Sequence, residues 1–180
     1  MRHATVATTL LIDFVGQLGR RGLAPAQVCQ AAAIDPAWLG QPHGRVPADA
    51  MLRLWQAGER LSGDPDLGLH SAESYQPGAL GILGYVLLGC ATAGQALDRL
   101  ARYAPLLNDG LQVQLHDDGR TTRCHFGPAP GVPSFLQHQP RQASETLAAG
   151  IVLTLARLAP QPPQPLAVHF RHAAPASLAE

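Results

Sequence analysis

No sign of charge prevails in this sequence: thirteen lysines and arginines face thirteen aspartates and glutamates, and the formal net charge is zero. A chain that grips nucleic-acid phosphates by itself carries a basic excess, because its binding runs on the release of condensed counterions. The 180 residues are therefore expected to bind DNA poorly, if at all. Cysteine is scarce as well. Cys29, Cys90 and Cys124 are odd in number and far apart, which speaks against a disulfide framework and suits buried, reduced thiols in a cytoplasmic protein. Long apolar runs are missing too, since no window approaches the roughly 18 uncharged apolar residues of a membrane-spanning helix. The opening MRHATVATTLLIDFVGQLG is interrupted by Asp13 and Gln17 and shows no small-residue cleavage pattern before Arg20 and Arg21, so it does not read as a signal peptide. A soluble chain with no membrane partner is expected.

Chemistry-bearing motifs are equally thin. The chain holds no G-x-S-x-G elbow, no G-x-x-x-x-G-K phosphate loop and no H-E-x-x-H helix, and Gly78 to Gly84 lacks the preceding strand and G-x-G start of a dinucleotide site. Eight histidines invite a metal. His169 and His172, however, are three apart on an alternating segment, which sends them to opposite faces, and no cysteine pair has C-x-x-C spacing. No catalytic residue, metal or cofactor is expected, and the enzyme reading is set aside.

What is present is apolar patterning. With 46% hydrophobic residues the chain can bury a core of the size of one domain. Leu10, Leu11, Phe14, Val15 and Leu18 recur at helical spacing, with Gly22 placed for a left-handed cap after a helix ending near Arg21. A second helix starts at Pro25 and runs to Ile34, and a third starts at Pro47 and carries Met51, Leu52, Leu54, Trp55 and Leu61. Asp64 follows the break Ser62-Gly63-Asp64-Pro65 and is placed to cap a short helix with Leu67 and Leu69. From Gly78 to Cys90 the residues are apolar, and Gly78, Gly81 and Gly84 are expected to form a smooth strip on one helical face. Such a strip suits tight helix packing first and a ligand's approach second. Thr92 and Gln95 form a capping box for a helix ending near Leu107.

The period then changes. Leu111, Val113 and Leu115 alternate with polar residues, Asp117-Asp118-Gly119 supplies a turn, and Thr122, Cys124 and Phe126 continue the alternation, which together read as a β-hairpin. A proline- and glycine-rich loop to about Pro140 leads to a helix from Arg141 to Leu158, apolar on two neighbouring faces and expected to be mostly buried. After a breaker at Pro160 to Pro165, Leu166, Val168 and Phe170 alternate as a third strand. The fold expected is α+β: an N-terminal helical region followed by a small antiparallel β-sheet packed against helices. A lone third strand leaves an edge that a further strand would cover, so residues 1–180 read as one domain truncated at its C-terminal end.

Small-molecule pockets are mostly apolar with a few convergent polar groups, which singles out polar residues embedded in apolar sequence. Tyr85 sits inside GILGYVLLG and needs a hydroxyl partner if buried. Arg141 and Glu145 share a helix face and are placed either to pair with each other or to meet a polar effector. Tyr103 flanks the passage from helix to hairpin beside Asn108, a turn former by composition. His125 lies on the hairpin face opposite Cys124, toward solvent or a cavity. Tyr85, Tyr103, His125, Arg141 and Glu145 are the candidate ligand contacts.

Particular strings go beyond composition. The stretch from Arg45 to Leu115 contains Gly63-Asp64-Pro65 with Leu67-Gly68-Leu69, then Leu83-Gly84-Tyr85, then Leu100-Ala101-Arg102-Tyr103. Further on come Gln142-Ala143-Ser144-Glu145 and Val168-His169-Phe170 with His172 and Pro175. In order and spacing these resemble the arabinose-binding-type N-terminal domain of AraC/XylS transcription regulators. The resemblance implies a sensor domain that binds a small-molecule effector of unspecified class, forms a homodimer, and reaches DNA only through a C-terminal helix-turn-helix domain that these residues do not include. An interaction module without ligand is the alternative; a small hydrolase would need several histidines sharing a cleft with a carboxylate, and a haem or gas sensor, in which a histidine would ligate iron, would be excluded by the absence of visible absorption in the purified protein.

Overall fold

The computed structural model describes residues 3–74, 77–133, 140–158 and 164–174. Strand β1 (Thr5–Ala7) runs directly into α1 (Thr8–Arg20). In α1, Leu11, Phe14, Val15 and Leu18 are buried, the spacing of one inward face. The helix closes where Gly22, at φ +90°, lets the Leu23 N–H return to the Leu18 carbonyl at 3.1 Å. Helix α2 (Pro25–Ala32) begins with its proline in the first turn, where a missing N–H costs nothing, and buries Val28, Cys29 and Ala32. A 3₁₀ turn (Pro36–Gly40) and strand β2 (Arg45–Pro47) precede α3 (Ala48–Ser62). β1 and β2 pair antiparallel through Val6 and Val46. They are too short for alternation to mark them in the sequence.

The long helices α1 and α3 meet through Phe14 and Trp55, whose ring centroids are 4.1 Å apart at 42°. Around them the large apolar core gathers, including Leu11, Leu18, Val28, Val46, Leu54 and Leu67. Helix α4 (Leu67–Glu73) follows. Asp64 does not cap it as expected: its Oδ1 accepts from the Asp66 N–H at 2.9 Å, an Asx turn one step ahead of the helix.

The second half begins with a correction. Gly78, Gly81 and Gly84 do not share one helical face, because Gly81 takes φ +55°, ψ −138° and splits the segment into a 3₁₀ turn (Pro77–Leu80) and helix α5 (Ile82–Leu88). Only glycine adopts that conformation without strain. Helix α6 (Ala93–Leu107) starts as expected: the Thr92 hydroxyl accepts from the Gln95 N–H at 3.2 Å and the Gln95 side chain accepts from the Ala91 N–H at 3.0 Å. Strands β3 (Leu111–Asp117) and β4 (Thr122–Pro128) form the hairpin, pairing Val113 with Phe126 and Leu115 with Cys124. The apolar residues thereby share one face, as alternation with a period of two requires, and β3 lies along α6. The α+β class holds.

Helix α7 (Arg141–Leu158) has the expected limits but not the expected burial. Along most of its length it is half-buried, and its fully buried residues among those described are the polar Gln142 and Glu145. Its N-terminal half lies against α4, its later half touches the small second cluster of Leu83, Leu87, Ala96 and Leu100 through Ile151 and Leu155. The third strand is also corrected: residues 164–174 form no strand, and Leu166, Val168 and Phe170 are exposed. Alternation supplies a strand's side-chain pattern, but a strand exists only where a neighbour completes its hydrogen bonds, and no described strand pairs with this segment. The connections at 134–139 and 159–163 lie outside the described residues, as does Pro175.

The junction of helices 4 and 7 as candidate functional site

Helices α4 and α7 cross at a point where one residue has no side chain. A Cβ built on Gly68 would lie 2.3 Å from the Gln142 carbonyl oxygen and 2.8 Å from its Cα, so the two backbones touch and only glycine fits. The contact is sealed by polar bonds. The Gly68 N–H donates to Gln142 Oε1 at 2.6 Å, Gln142 Nε2 donates to the Pro65 carbonyl at 2.6 Å and to Glu59 at 3.2 Å, and the Thr146 hydroxyl reaches the Gly68 carbonyl at 2.7 Å. Gln142 is 1% exposed, and satisfying all its amide atoms is what makes that burial tolerable.

Beside this seal the structure brings together two of the expected contacts. Arg141 Nη1 donates to Glu145 Oε1 at 3.0 Å, one helical turn on. The same guanidinium lies 3.8 Å from Asp66 and donates to the Pro65 carbonyl. The Glu145 side chain is only 7% exposed. His172, from the irregular segment 164–174, lies over the pair with Nε2 3.9 Å from Glu145 Oε1. Among the described residues Glu145 Oε2 and His172 Nε2 are buried and have no hydrogen-bond partner, as does Ser71 Oγ on α4. Each such orphan costs about 1–3 kcal/mol, so two within one cluster mark a place held at a price in stability.

A charged node braces the approach to α4. Asp64 Oδ2 accepts from Arg21 at 2.7 Å and from His70 Nδ1 at 2.8 Å. Partial burial pushes its carboxyl up, but His70, the Asp66 N–H and Arg21 outweigh that and hold it below the usual carboxylate range. This node ties the end of α1 to α4 through the turn that carries Asp64.

The remaining candidates lie elsewhere. Tyr85 stands 67% exposed on α5, among exposed Ile82, Val86 and Leu88, so its hydroxyl needs no buried partner. Tyr103 is half-buried against the second cluster, with the Arg102 guanidinium 5.5 Å from its ring centre. His125 is exposed on β4 opposite Gln114, the outward face. The sequence had no means of adding His172 to Arg141 and Glu145, because an irregular segment carries it back over α7. The cysteines are free thiols, and burial raises Cys124 to about 11.

A separate cleft of about 220 Å³ lies by β1 and β2, lined by Thr5, Arg45 and Asp49 among others. It is smaller than most ligand pockets, which begin near roughly 300 Å³. Its arginine is already engaged, donating to Leu106 O at 2.6 Å and Thr5 Oγ1 at 2.7 Å and pairing with Asp109 at 3.4 Å. That cleft is a seam between β1, β2 and the start of α3. No group of three metal-type ligands forms among the described residues, and no helix among them is long and apolar enough to cross a membrane.

Comparison with known proteins adds an independent line. A family model described as the arabinose-binding domain of AraC transcription regulator, N-terminal, matches residues 22–180. Among curated proteins, the ornithine utilization regulator of Pseudomonas aeruginosa is 29% identical over 168 residues, which is 92% of this chain and 47% of that protein. The chain thus spans about half the length of the curated relative it matches.

Proposed function

From the premise that the chain belongs to the family of N-terminal arabinose-binding domains of AraC transcription regulators, we propose that it is the ligand-sensing regulatory domain of such a regulator and not an enzyme. Residues 1–180 act as one effector-binding and dimerisation unit in the cytoplasm, and DNA is contacted by a separate C-terminal helix-turn-helix domain of the parent protein. The observation that carries this reading is the family match, which spans nearly the whole chain. The zero net charge supports leaving DNA contact to another domain. The family's name does not make arabinose the effector. The relative's name, ornithine utilization regulator, directs attention to amino acids and amines.

The mechanism is a shift between two arrangements of the domain, by no more than the effector's difference in affinity for them. A change in dimer geometry would then alter how paired half-sites are met. A thermal-shift screen of the chain with amino acids, amines, sugars, fatty acids and aromatic acids tests the reading. A true effector raises the melting temperature in proportion to the logarithm of its concentration, worth about 2.7 kcal/mol at a hundredfold excess over Kd. No shift with any class, together with unchanged transcription by the parent, would sink it.

A second reading, a dimerisation module without ligand, draws on one feature. Helix α5 exposes Ile82, Tyr85, Val86 and Leu88, an uncharged face that a second copy would cover without repulsion. Sedimentation of the wild type against Ile82→Asp separates the two: a monomeric variant that still binds effector favours the sensor.

A further inference from the structure

The orphaned atoms at the junction of α4 and α7 define what would satisfy them. His172 Nδ1 lies 3.0 Å from the Ala173 carbonyl oxygen. A carbonyl only accepts, so Nδ1 carries the proton, and in the neutral ring Nε2 presents a lone pair. That lone pair faces a carboxylate, Glu145, across 3.9 Å, while the far oxygen, Oε2, is buried and unpartnered. Acceptor faces acceptor, and no donor among the described residues serves either. The charge is unbalanced in the same direction. Arg141 supplies one positive charge against Glu145 at 3.0 Å and Asp66 at 3.8 Å, and Glu59 beyond them is bonded by the neutral amide of Gln142.

Protonating His172 would provide one donor, toward Oε1, which Arg141 already serves, and would leave Oε2 alone. A primary ammonium group brings three N–H donors and one positive charge in a single atom. It can meet Nε2 and Oε2 together and neutralise the excess carboxylate. We propose that Glu145 and His172 are the recognition point for the primary ammonium group of an amino acid or polyamine effector. The proposal rests on the sensor-domain reading and narrows it to a site and a ligand class. Entry is through segment 164–174, which has no helix or strand and whose residues other than His172 lie exposed. Lifting it uncovers the carboxylate, and closing it over a bound amine returns His172 to the ligand, so that occupancy is registered in the position of this segment.

The test is calorimetric titration of the 180-residue chain with putrescine, L-ornithine and 1,4-butanediol, the last matching putrescine in length without its charge. At least one of the two amines should bind the wild type and the diol should not. Glu145→Gln should weaken amine binding at least about tenfold, and His172→Ala several-fold, as loss of charge-assisted hydrogen bonds requires. Far-ultraviolet circular dichroism should show both variants folded. If Glu145→Gln fails to fold, His172→Ala decides alone. Hydrogen exchange over 164–174 should slow with the bound amine. Full affinity in either folded variant overturns the site. Binding in the wider screen only by compounds without an ammonium group overturns it while leaving the sensor reading standing. No binding by any compound overturns both.

Discussion

The two halves of the molecule are built to different standards of closure. Among the described residues, the first half, α1 to α3 with β1 and β2, supplies sixteen of the eighteen buried apolar residues of the large cluster, with Leu67 and Val132 completing it, whereas the small cluster of α5 and α6 with the hairpin and the end of α7 has four. The first is therefore a scaffold held by continuous apolar packing. The second is shallow, and most of α7 remains half-buried. They meet at a polar seal, in which Gly68 and Gln142 touch backbone to backbone with the ion pairs alongside, and at the bonds of Thr5 and Arg45 to the end of α6 and the turn after it. Apolar burial is non-directional and tolerates small adjustments, while a polar seal requires each donor and acceptor to be in place.

The sharpest way to break this contrast is to cut equal cavities in the two clusters. Leu54→Ala, at a residue with no exposure, should destabilise by about 4 kcal/mol, and Leu87→Ala by about 2 kcal/mol, because a shallow cluster relaxes or admits water. Urea unfolding of both variants measures the difference, and equal losses would mean that the second cluster is as closed as the first. At the seal, Gly68→Ala should cost about 3 kcal/mol, since its Cβ would meet main-chain atoms that cannot rotate away. A variant with wild-type stability would show that α7 is free to shift on α4.

Cys124 reports on the shallow half. Burial keeps its thiol protonated, with a pKa near about 11, so at pH 8 it should react slowly with iodoacetamide. The Leu87→Ala change should quicken that labelling more than Leu54→Ala does, a comparison that mass spectrometry of the Cys124 peptide resolves. The smallest effect is electrostatic. Asp64 has its folded value below its unfolded one, so its contribution to stability is present above about pH 4 and is lost as pH falls through the folded value. Its partners are partly exposed, which limits that contribution to about 1 kcal/mol or less. Asp64→Asn should lower the melting temperature slightly at neutral pH and leave it nearly unchanged at low pH, so that the acid side of the curve flattens.

Much of the fold was legible in the residues. The limits of α6 and α7, the hairpin and its inward face, and the starts of α2 and α3 all follow from local signals: a proline in a first turn, Thr92 with Gln95, alternation around Asp117 to Gly119. The misreadings share a cause. Gly78 to Cys90 is uniformly apolar, so periodicity could not reveal that Gly81 breaks it. Leu166 to Phe170 alternates like a strand, yet no described strand pairs with it. Tyr85 sits in apolar sequence but on an exposed face, because sequence context reports composition and not which side is covered.

For the candidate site the division is similar. The sequence by itself determined that Arg141 and Glu145 share a helical face, since residues four apart on an α-helix are neighbours whatever surrounds them. Only the tertiary structure decided that Gly68 would admit the Gln142 backbone, that Asp66 would stand beside Arg141, and that His172 would return to face the same carboxylate. Those meetings join residues far apart in the chain, and their physical origin is the crossing of α4 and α7, set by how two distant segments fill a shared space. Local backbone geometry repeats every few residues and can be read from any short window, whereas such a contact exists only once the whole chain has packed.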